Sequence, residues 1–438
     1  MEKSILKNFM KYVSLNILGM IGISCYILAD TFFVSKALGA TGLAALNLSI
    51  SLYSVIHGFG LMIGIGGASR YSILRAQGDD KKANAVFSAA VKTGLVAGLV
   101  FMIIGLFGSS SIAQVLGADQ TTLPLTRTYL TTILSFAPFF ILNNILLAFV
   151  RNDHNPRLSM VAMLTGSFAN IILDYVFMFP LKMGMFGAAF ATGLAPIISL
   201  GILLTHFTGR KHQLNFYKGH KAIPILPDLF QLGLSAFIIE ISSAVVLITF
   251  NLVILGLEGN LGIAAYGIIA NLALVVMSVF TGLAQGIQPL ISKYYGSNHK
   301  ESLRKVLNYA FISSMAIALM IYLGMLIYGD QIIQSFNSEK HGEITQLAKG
   351  GMQIYFLGFF FAGVNIVTAI YLSATEAARD AFLITICRGL VIITPLVFLL
   401  SRVWGMKGVW LSFLLTELIV MLIAIGLYYG RRRSSVPE

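Results

Sequence analysis

Two aspartates lie inside segments of the chain that are otherwise strongly apolar. Asp30 is in the first such segment and Asp174 in the fifth, and Asn170 precedes Asp174 by one helical turn on the same face. An acid at the centre of a bilayer costs about 3 kcal/mol on insertion scales, so each one requires an explanation. Two carboxyl groups and an amide at one depth could bind a proton or a small hard cation such as sodium. A purely structural hydrogen-bonded network is the alternative.

Other ionisable residues lie deep within apolar segments. Glu240, in the seventh segment, could attract a cationic substrate, carry a second proton, or simply make an interhelical hydrogen bond. Glu417 and Arg388 lie in neighbouring late segments, and we expect them to pair. His57, midway along the second segment, is expected to be an interhelical hydrogen-bonding residue.

Membrane helices must position these residues, because the whole chain has the composition of a membrane protein. Of its 438 residues, 57% are hydrophobic and only 11% are charged, and its mean hydropathy is +0.83. A soluble protein needs far more charge to cover its surface. Helices that span a membrane need about 20 apolar residues each. Twelve segments meet this requirement, at residues 11–35, 42–69, 84–108, 123–149, 158–180, 185–208, 229–257, 261–291, 306–328, 347–373, 382–401 and 408–429.

The basic residues are distributed unevenly between the two sides of the predicted bundle. When successive loops are assigned to alternate sides, 21 of the 30 Lys and Arg residues share a side with both termini, and 7 lie opposite. The positive-inside rule then predicts a multi-pass protein of the cell membrane with both termini in the cytoplasm. Because topology accounts for the net charge of +12, no nucleic-acid partner is expected.

The second half of the chain repeats the first. Residues 39–45 match residues 259–265 at an offset of 220, and residues 184–187 match residues 405–408 at an offset of 221. An even number of spans separates the copies, so both have the same orientation in the membrane. This pattern predicts a parallel internal repeat of six helices per copy.

The repeat also predicts the domain organisation. The longest polar stretch, residues 209–228, is expected to be a cytoplasmic linker between an N-lobe of residues 1–208 and a C-lobe of residues 229–438. Two lobes around a central cavity suit alternating access, in which two bodies rock about one site.

The two aspartates have no counterparts in the second copy. At the offsets of the repeat, Asp30 corresponds to Phe250 and Asp174 corresponds to Pro395. An acid that served packing alone is expected in both copies. We therefore predict that the cation-coupling site is asymmetric and lies in the N-lobe.

Three sequence runs resemble the MATE family, the multidrug and toxic compound extrusion transporters. They are Ala-Asp-Thr-Phe-Phe-Val at residues 29–34, Asn-Ile-Ile-Leu-Asp at residues 170–174, and the run at residues 286–296 that begins Gly-Ile-Gln-Pro. The resemblance extends over essentially the whole chain. It implies a twelve-helix antiporter of two lobes that expels organic cations against an inward flow of protons or sodium.

The resemblance also implies roles for particular residues. In relatives of the DNA-damage-inducible subfamily, the N-lobe cation site uses a first-helix Asp, a fifth-helix Asn and Asp, and a sixth-helix Thr. The matching residues here are Asp30, Asn170, Asp174 and Thr192, which are also the candidates for binding sodium. Residues that resemble substrate-contacting or proton-relaying positions are Tyr26, Asn143 and Asn144, and Glu240 resembles the seventh-helix acid of the NorM-type subfamily.

The chain departs from the family pattern at two kinds of position. Ser14 and Ser235 stand where many relatives have proline, which puts any proline-dependent bending of the first helix in doubt. The tenth-helix acid of the NorM-type subfamily is also missing, because residues 359–365 contain no carboxylate.

The sequence therefore predicts a monomeric secondary antiporter that exports small organic, mainly cationic, compounds in exchange for H⁺ or Na⁺, with no cofactor. A lipid-linked sugar flippase of the same superfamily is the first alternative, and a membrane receptor without transport activity is the second. No zinc-protease, serine-hydrolase or P-loop motif suggests an enzyme. The sequence leaves the choice between proton and sodium open.

Overall fold

The computed structural model describes residues 2–209, 212–217, 225–336 and 342–434, so residues 210–211 and 218–224 of the predicted linker lie outside the described chain. Within those ranges the regular structure is entirely helical. The helices are α1 (Glu2–Ala76), α2 (Asp80–Val115), α3 (Leu123–Ser135), α4 (Ala137–Asn152), α5 (Pro156–Met178), α6 (Gly184–Leu204), α7 (Leu226–Gly296), α8 (Lys300–Phe336), α9 (Gly342–Tyr355), α10 (Gly358–Ala374), α11 (Ala378–Ile386), α12 (Ile393–Trp404) and α13 (Met406–Ser434). A 3-10 turn, Thr205–Thr208, follows α6, and a π-helical turn, Cys387–Val391, lies between α11 and α12.

The helices α1 and α7 each cross the membrane twice and break at a glycine. At about 1.5 Å per residue, a helix of 70 or more residues is more than about 100 Å long, over three times the hydrocarbon thickness. One residue in each leaves the helical conformation, Gly39 with φ 63° and ψ −155° and Gly259 with φ 60° and ψ −147°. Only glycine adopts these angles readily. The two glycines are separated by the offset of the repeat, so both copies break in the same way.

Two other crossings are bent. The pair α3 and α4 is bent by 50°, and the pair α9 and α10 by 46°. The sequence predicted each pair as one uninterrupted segment, because hydropathy does not register a bend. Pro138, in the first turn of α4, cannot continue the hydrogen bonding of α3. In the second pair α10 begins at Gly358, a weak helix former.

These elements together give twelve membrane crossings. Eight continuous helices are long and apolar enough to span, two of them cross twice, and the two bent pairs supply the rest. Six crossings precede the linker and six follow it. The predicted all-α membrane fold of twelve helices is therefore confirmed. The lobe boundaries at residues 1–208, 209–228 and 229–438 stay a prediction, so we refer below to the amino-terminal half (through Thr208) and the carboxy-terminal half (from Leu226).

Each half has a large hydrophobic core, a smaller buried cluster joins the start of α1 to α7 and α8, and the halves meet mainly along α1 and α7. One core is built from buried residues between positions 34 and 229, and the other from residues between positions 250 and 413. Where α1 and α7 touch, a side chain at Gly233 would overlap the carbonyl oxygen of Met62, and one at Gly286 would lie 2.8 Å from the Cα of Val13. We call the end of the bundle that carries Lys11 and Lys293 the basic face, and these close contacts lie in the half of the bundle next to it.

Candidate functional site

Four side chains that the sequence singled out pack together where α1, α5 and α6 meet. Asp30, Asn170, Asp174 and Thr192 are all buried, with at most 7% of each residue exposed. With the Asn170 amide oriented to face the carboxylate, its nitrogen lies 3.1 Å from Asp174 Oδ2, and its oxygen lies 3.2 Å from the Thr192 backbone nitrogen. Asp30 lies within electrostatic reach of Asp174. The structure thus brings together the two acids, the amide and the hydroxyl.

The oxygen atoms of this cluster are short of hydrogen-bond donors. Within the described chain, Asp30 Oδ1 and Asp174 Oδ1 are buried without a hydrogen-bond partner. Such atoms are rare, because an unpaired carboxylate oxygen away from water is costly. Pro196, inside α6, has no N–H to donate to the carbonyl of Thr192 four residues before it. The cluster therefore offers several hard oxygen atoms, which suit a proton or a hard cation such as sodium.

The sequence missed one further residue of this cluster. Tyr129 of α3 is only 3% exposed, lies near Thr192, and is within electrostatic reach of both Asp30 and Asp174. It is one of 17 tyrosines in the chain, and nothing in its sequence neighbourhood marks it. Among the described residues, no group of three or more His, Cys, Asp or Glu side chains could hold a metal ion.

A second set of polar side chains runs from the cluster to the carboxy-terminal half. The Tyr26 hydroxyl lies 3.0 Å from that of Tyr53, whose ring stacks on His57 with 5.7 Å between centroids. His57 Nδ1 lies 3.4 Å from Glu240 Oε2 on α7. Tyr26 is also within electrostatic reach of Asp30. The sequence analysis named Tyr26 and Glu240, but it identified neither Tyr53 nor the pairing of Glu240 with His57.

Asn143 and Asn144 do not join either set. Asn144 is 7% exposed and packs where α4 meets the second crossing of α1, against Gly60 and Gly64. The side-chain oxygen of Asn143 is buried without a hydrogen-bond partner within the described ranges. The structure therefore gives neither asparagine a hydrogen bond to the clustered acids, and a role in the substrate cavity stays a prediction.

The carboxy-terminal half contains the ion pair that the sequence led us to expect. Arg388 Nε lies 2.5 Å from Glu417 Oε1, and Asn365 Nδ2 lies 2.8 Å from Glu417 Oε2. The arginine stands in the π-helical turn, and the side chain of the glutamate is only 2% exposed. Asn365 of α10 thus contacts the carboxylate of Glu417, which belongs to α13, whereas α10 itself contains no carboxylate.

Polar contacts join the two halves near the basic face, and the sequence did not reveal them. Arg151 Nη1 donates to Asn16 Oδ1 at 2.7 Å and to Gln285 Oε1 at 2.9 Å. Gln288 accepts from Asn152 at 2.9 Å. At the edge of this region, Arg70 pairs with Asp228 at 3.0 Å and also with Glu376. These residues are far apart in the chain, and only the folded arrangement of the two halves brings them together.

The fold and these sites define the class of this protein as a membrane transporter. Twice six membrane helices in a parallel repeat, with paired acids inside the membrane, are the construction that secondary transporters use. The chain belongs to the MatE family, whose model matches residues 16–176 and again residues 236–399. The family is thus matched once in each half, and the resemblance found in the sequence is confirmed. The likeness to the DNA-damage-inducible subfamily stays a prediction.

Curated relatives and solved structures resemble the chain over nearly its whole length. The multidrug export protein MepA of Staphylococcus haemolyticus is 29% identical over 100% of this chain and 96% of its own. MepA of Staphylococcus aureus strain MRSA252 is 27% identical over 92% and 89%. The fold is similar to that of a MOP superfamily transporter from Pyrococcus furiosus, with a TM-score of 0.90, 23% identity and coverage of 98% and 95%. It is also similar to the MATE transporter VcmN of Vibrio cholerae, with a TM-score of 0.91, 19% identity and coverage of 99% and 98%.

Proposed function

We propose that this protein exports small organic, mainly cationic, compounds across the cell membrane in exchange for H⁺ or Na⁺. The observation that carries the proposal is the buried pair Asp30 and Asp174, each with an oxygen that lacks a hydrogen-bond donor within the described chain. Such a pair is stabilised when a cation binds, so cation binding on one side of the membrane and release on the other can drive transport. The curated relatives are named multidrug export proteins, which supports the same activity.

The basic face indicates which state of the transport cycle this arrangement represents. The positive-inside rule places this face and both termini in the cytoplasm. The two halves meet next to this face, through contacts such as Arg151 with Gln285 and Asn152 with Gln288. The arrangement is therefore closed to the cytoplasm and corresponds to the state that releases substrate outside.

The coupling cycle uses the difference in cation affinity between two states. In the outward state a proton or sodium ion enters the cluster of Asp30, Asp174, Asn170 and Thr192, and this favours substrate release. The loaded protein then turns inward and gives the cation to the cytoplasm, where substrate binds. A ligand shifts such an equilibrium only through its different affinities for the two states, so cation and substrate must favour opposite ones.

A row of contacting side chains extends from the cation cluster to the boundary between the halves. It consists of Tyr26, Tyr53, His57 and Glu240. Glu240 is 30% exposed and lies near mid-depth in α7, where it attracts a cationic substrate. Its partner His57 belongs to the other half, so any motion that separates the halves changes this contact. The acidic character of these sites favours organic cations over the pyrophosphate that a lipid-linked sugar flippase would bind.

The proposal also covers the oligomeric state and the partners of the protein. The protein acts as a monomer of two lobes in the lipid bilayer, without enzymatic activity and without a nucleic-acid partner. The coupling ion serves as cargo, and no cofactor takes part.

Efflux from everted vesicles with separately imposed proton and sodium gradients tests the proposal. The variants are Asp30→Asn and Asp174→Asn, and the matched control is Asp330→Asn, whose side chain is 54% exposed and pairs with Lys349 on the surface. We expect one gradient to drive cation transport in the wild type and control, and at least about a 100-fold loss in both site variants. Full gradient-driven transport in both site variants would show that the coupling site is wrongly assigned.

A further inference from the structure

A polar cavity of about 490 Å³ opens at the basic face, away from the clustered acids. Both halves line it: α1 at its start and near its end, the turn after α4, and the end of α7. Its walls come from three segments that lie outside the cluster of Asp30 and Asp174. They are two similar stretches at residues 75–78 and 293–296, each of which begins with a basic residue and ends with glycine, and the turn at residues 151–156.

The cavity has an excess of positive charge. Lys11, Arg75 and Lys293 line it against the two acids Asp80 and Asp153, and His154 lines it as well. Among the described residues, neither Lys11 nor Lys293 forms a salt bridge, and both are exposed. Two ammonium groups on opposite halves therefore face one concave surface without an acid to neutralise them.

The two acids in the cavity wall are already engaged. Asp80 lies 2.5 Å from Arg75. Asp153 accepts from His206 at 2.8 Å, from the Tyr71 hydroxyl at 3.0 Å and from the backbone N–H of Gln213 at 2.8 Å. Neither acid is thus free to compensate the lysines.

The pKa of His154 reflects the positive charges around it. Burial lowers the pKa of His154, and the positive charges of Lys293, Arg75 and Lys11 lower it further, although Asp153 acts in the opposite direction. The residue also has a φ of 63°, which few residues other than glycine adopt, in a loop that has no glycine. This residue lines the cavity together with Arg75 and Lys293.

We propose that this cavity binds a phosphate-bearing anion, either the head group of an anionic lipid or a soluble phosphate compound. Lysine binds phosphate as a flexible point charge, and basic pockets between membrane helices at the cytoplasmic side take lipid head groups. The neighbouring hydroxyls of Tyr12 and Tyr294 add hydrogen-bond donors around the charge. The volume falls in the range of small-molecule sites and exceeds what a simple halide needs.

Such a ligand connects the two halves. Lys293 belongs to α7, whereas Arg75 and His154 belong to the amino-terminal half, so an opening at the basic face pulls the binding groups apart. The anion therefore binds the arrangement seen here and opposes that opening. Binding of this anion is independent of which compounds the protein transports.

The test compares thermal unfolding midpoints of the purified full chain. One arm adds inorganic phosphate to detergent-solubilised protein at matched ionic strength, and the other compares nanodiscs of phosphatidylcholine with nanodiscs that contain phosphatidylglycerol. The variant is Lys11→Gln with Lys293→Gln. The control, Lys7→Gln with Lys300→Gln, removes the same charge from exposed lysines that do not line the cavity.

We expect a saturable rise of the midpoint in the wild type and control, and at least a tenfold higher half-maximal concentration, or no rise, in the cavity variant. A response to inorganic phosphate identifies a soluble ligand, and a response to phosphatidylglycerol alone identifies a lipid head group. Equal responses in all three proteins, or no response to either probe, would overturn the proposal. If the glutamine variant does not fold, Lys11→Arg with Lys293→Arg must retain the response, since the charge is kept.

Discussion

Glu240 of α7 and His57 of α1 face each other across the boundary between the two halves, with 3.4 Å between Oε2 and Nδ1. They are 183 positions apart in the chain and belong to different copies of the repeat. Both side chains are partly exposed, at 30% and 20%, so the pair has access to the space between the halves. A carboxylate in that position is available to a cationic substrate as well as to the histidine.

The first prediction concerns this carboxylate. Glu240→Gln keeps the shape of the side chain and removes its charge, so we expect the KM for organic cations to rise about tenfold, which corresponds to about 1.4 kcal/mol. The KM for a neutral substrate should change little. Initial rates of efflux for a cationic and a neutral dye measure the difference. An equal effect on both dyes would mean that Glu240 serves packing or coupling and does not select charge.

The second prediction separates stability from transport at the cation cluster. Asp30→Asn and Asp174→Asn each remove a buried carboxylate that has one oxygen without a donor, so each variant should be as stable as the wild type or up to about 1 kcal/mol more stable. Transport should nevertheless be lost. Thermal unfolding in detergent, measured beside efflux, checks both parts. A large loss of stability in these variants would favour the structural hydrogen-bonded network over a coupling site.

The third prediction tests the two breaks that the halves share. Gly39→Ala and Gly259→Ala place a side chain at φ 63° and φ 60° with extended ψ, which should destabilise the fold by about 1–3 kcal/mol each. The matched control is Gly256→Ala in α7, where a side chain would meet nothing within 4 Å and the backbone is helical. That change should stabilise the protein by about 0.5–1 kcal/mol. The thermal unfolding midpoints of the three variants measure these effects. Equal shifts of the midpoint in all three variants would contradict the prediction that the two breaks require glycine.

The sequence could predict the helices, the repeat and the acids, because each leaves a local signal. A run of apolar residues marks a crossing, the recurring glycines mark the repeat, and a lone acid such as Asp30 stands out against its apolar surroundings. The bends were missed because hydropathy is the same on both sides of a bend.

Contacts between residues on different helices leave no such local signal in the sequence. Tyr129 joins the cation cluster from another helix, and His57 meets Glu240 only because the two halves pack against each other. The contacts of Arg151 with Asn16 and Gln285 depend on the same docking. Single-sequence patterns describe one helix at a time, so they identify individual acids inside apolar segments but not the side chains that surround those acids in the fold.

The fourth prediction is a dependence of stability on pH at Asp153, in the turn that follows α4. Burial by itself raises the pKa of Asp153, but hydrogen bonds from His206, the Gln213 backbone and Tyr71 outweigh it, and the pKa in the folded protein is lowered. The stabilisation is therefore fully present above the unfolded pKa of about 3.9, and it is lost as pH falls through the lower folded value.

Asp153→Asn removes this stabilisation, so the variant should be about 1–3 kcal/mol less stable than the wild type at pH 7. The difference should shrink below about pH 4, because the Asp153 carboxylate of the unfolded chain then takes up a proton that the folded protein binds only at lower pH. Unfolding midpoints between pH 7 and pH 3 measure the difference, with the exposed Asp330→Asn as the control. A difference that stays constant over this range would show that Asp153 does not act through its charge.

The last prediction concerns the buried pair Arg388 and Glu417. Glu417→Gln leaves the guanidinium without its charged partner in a site where the arginine side chain is only 11% exposed, so we expect a loss of about 3–5 kcal/mol. Replacing both residues, with Arg388→Met and Glu417→Leu, removes both charges from the low-dielectric interior and should recover most of that stability. Efflux in the double variant should then remain close to that of the wild type, because the pair serves the structure. A stable double variant that had lost transport would instead make this ion pair part of the transport machinery.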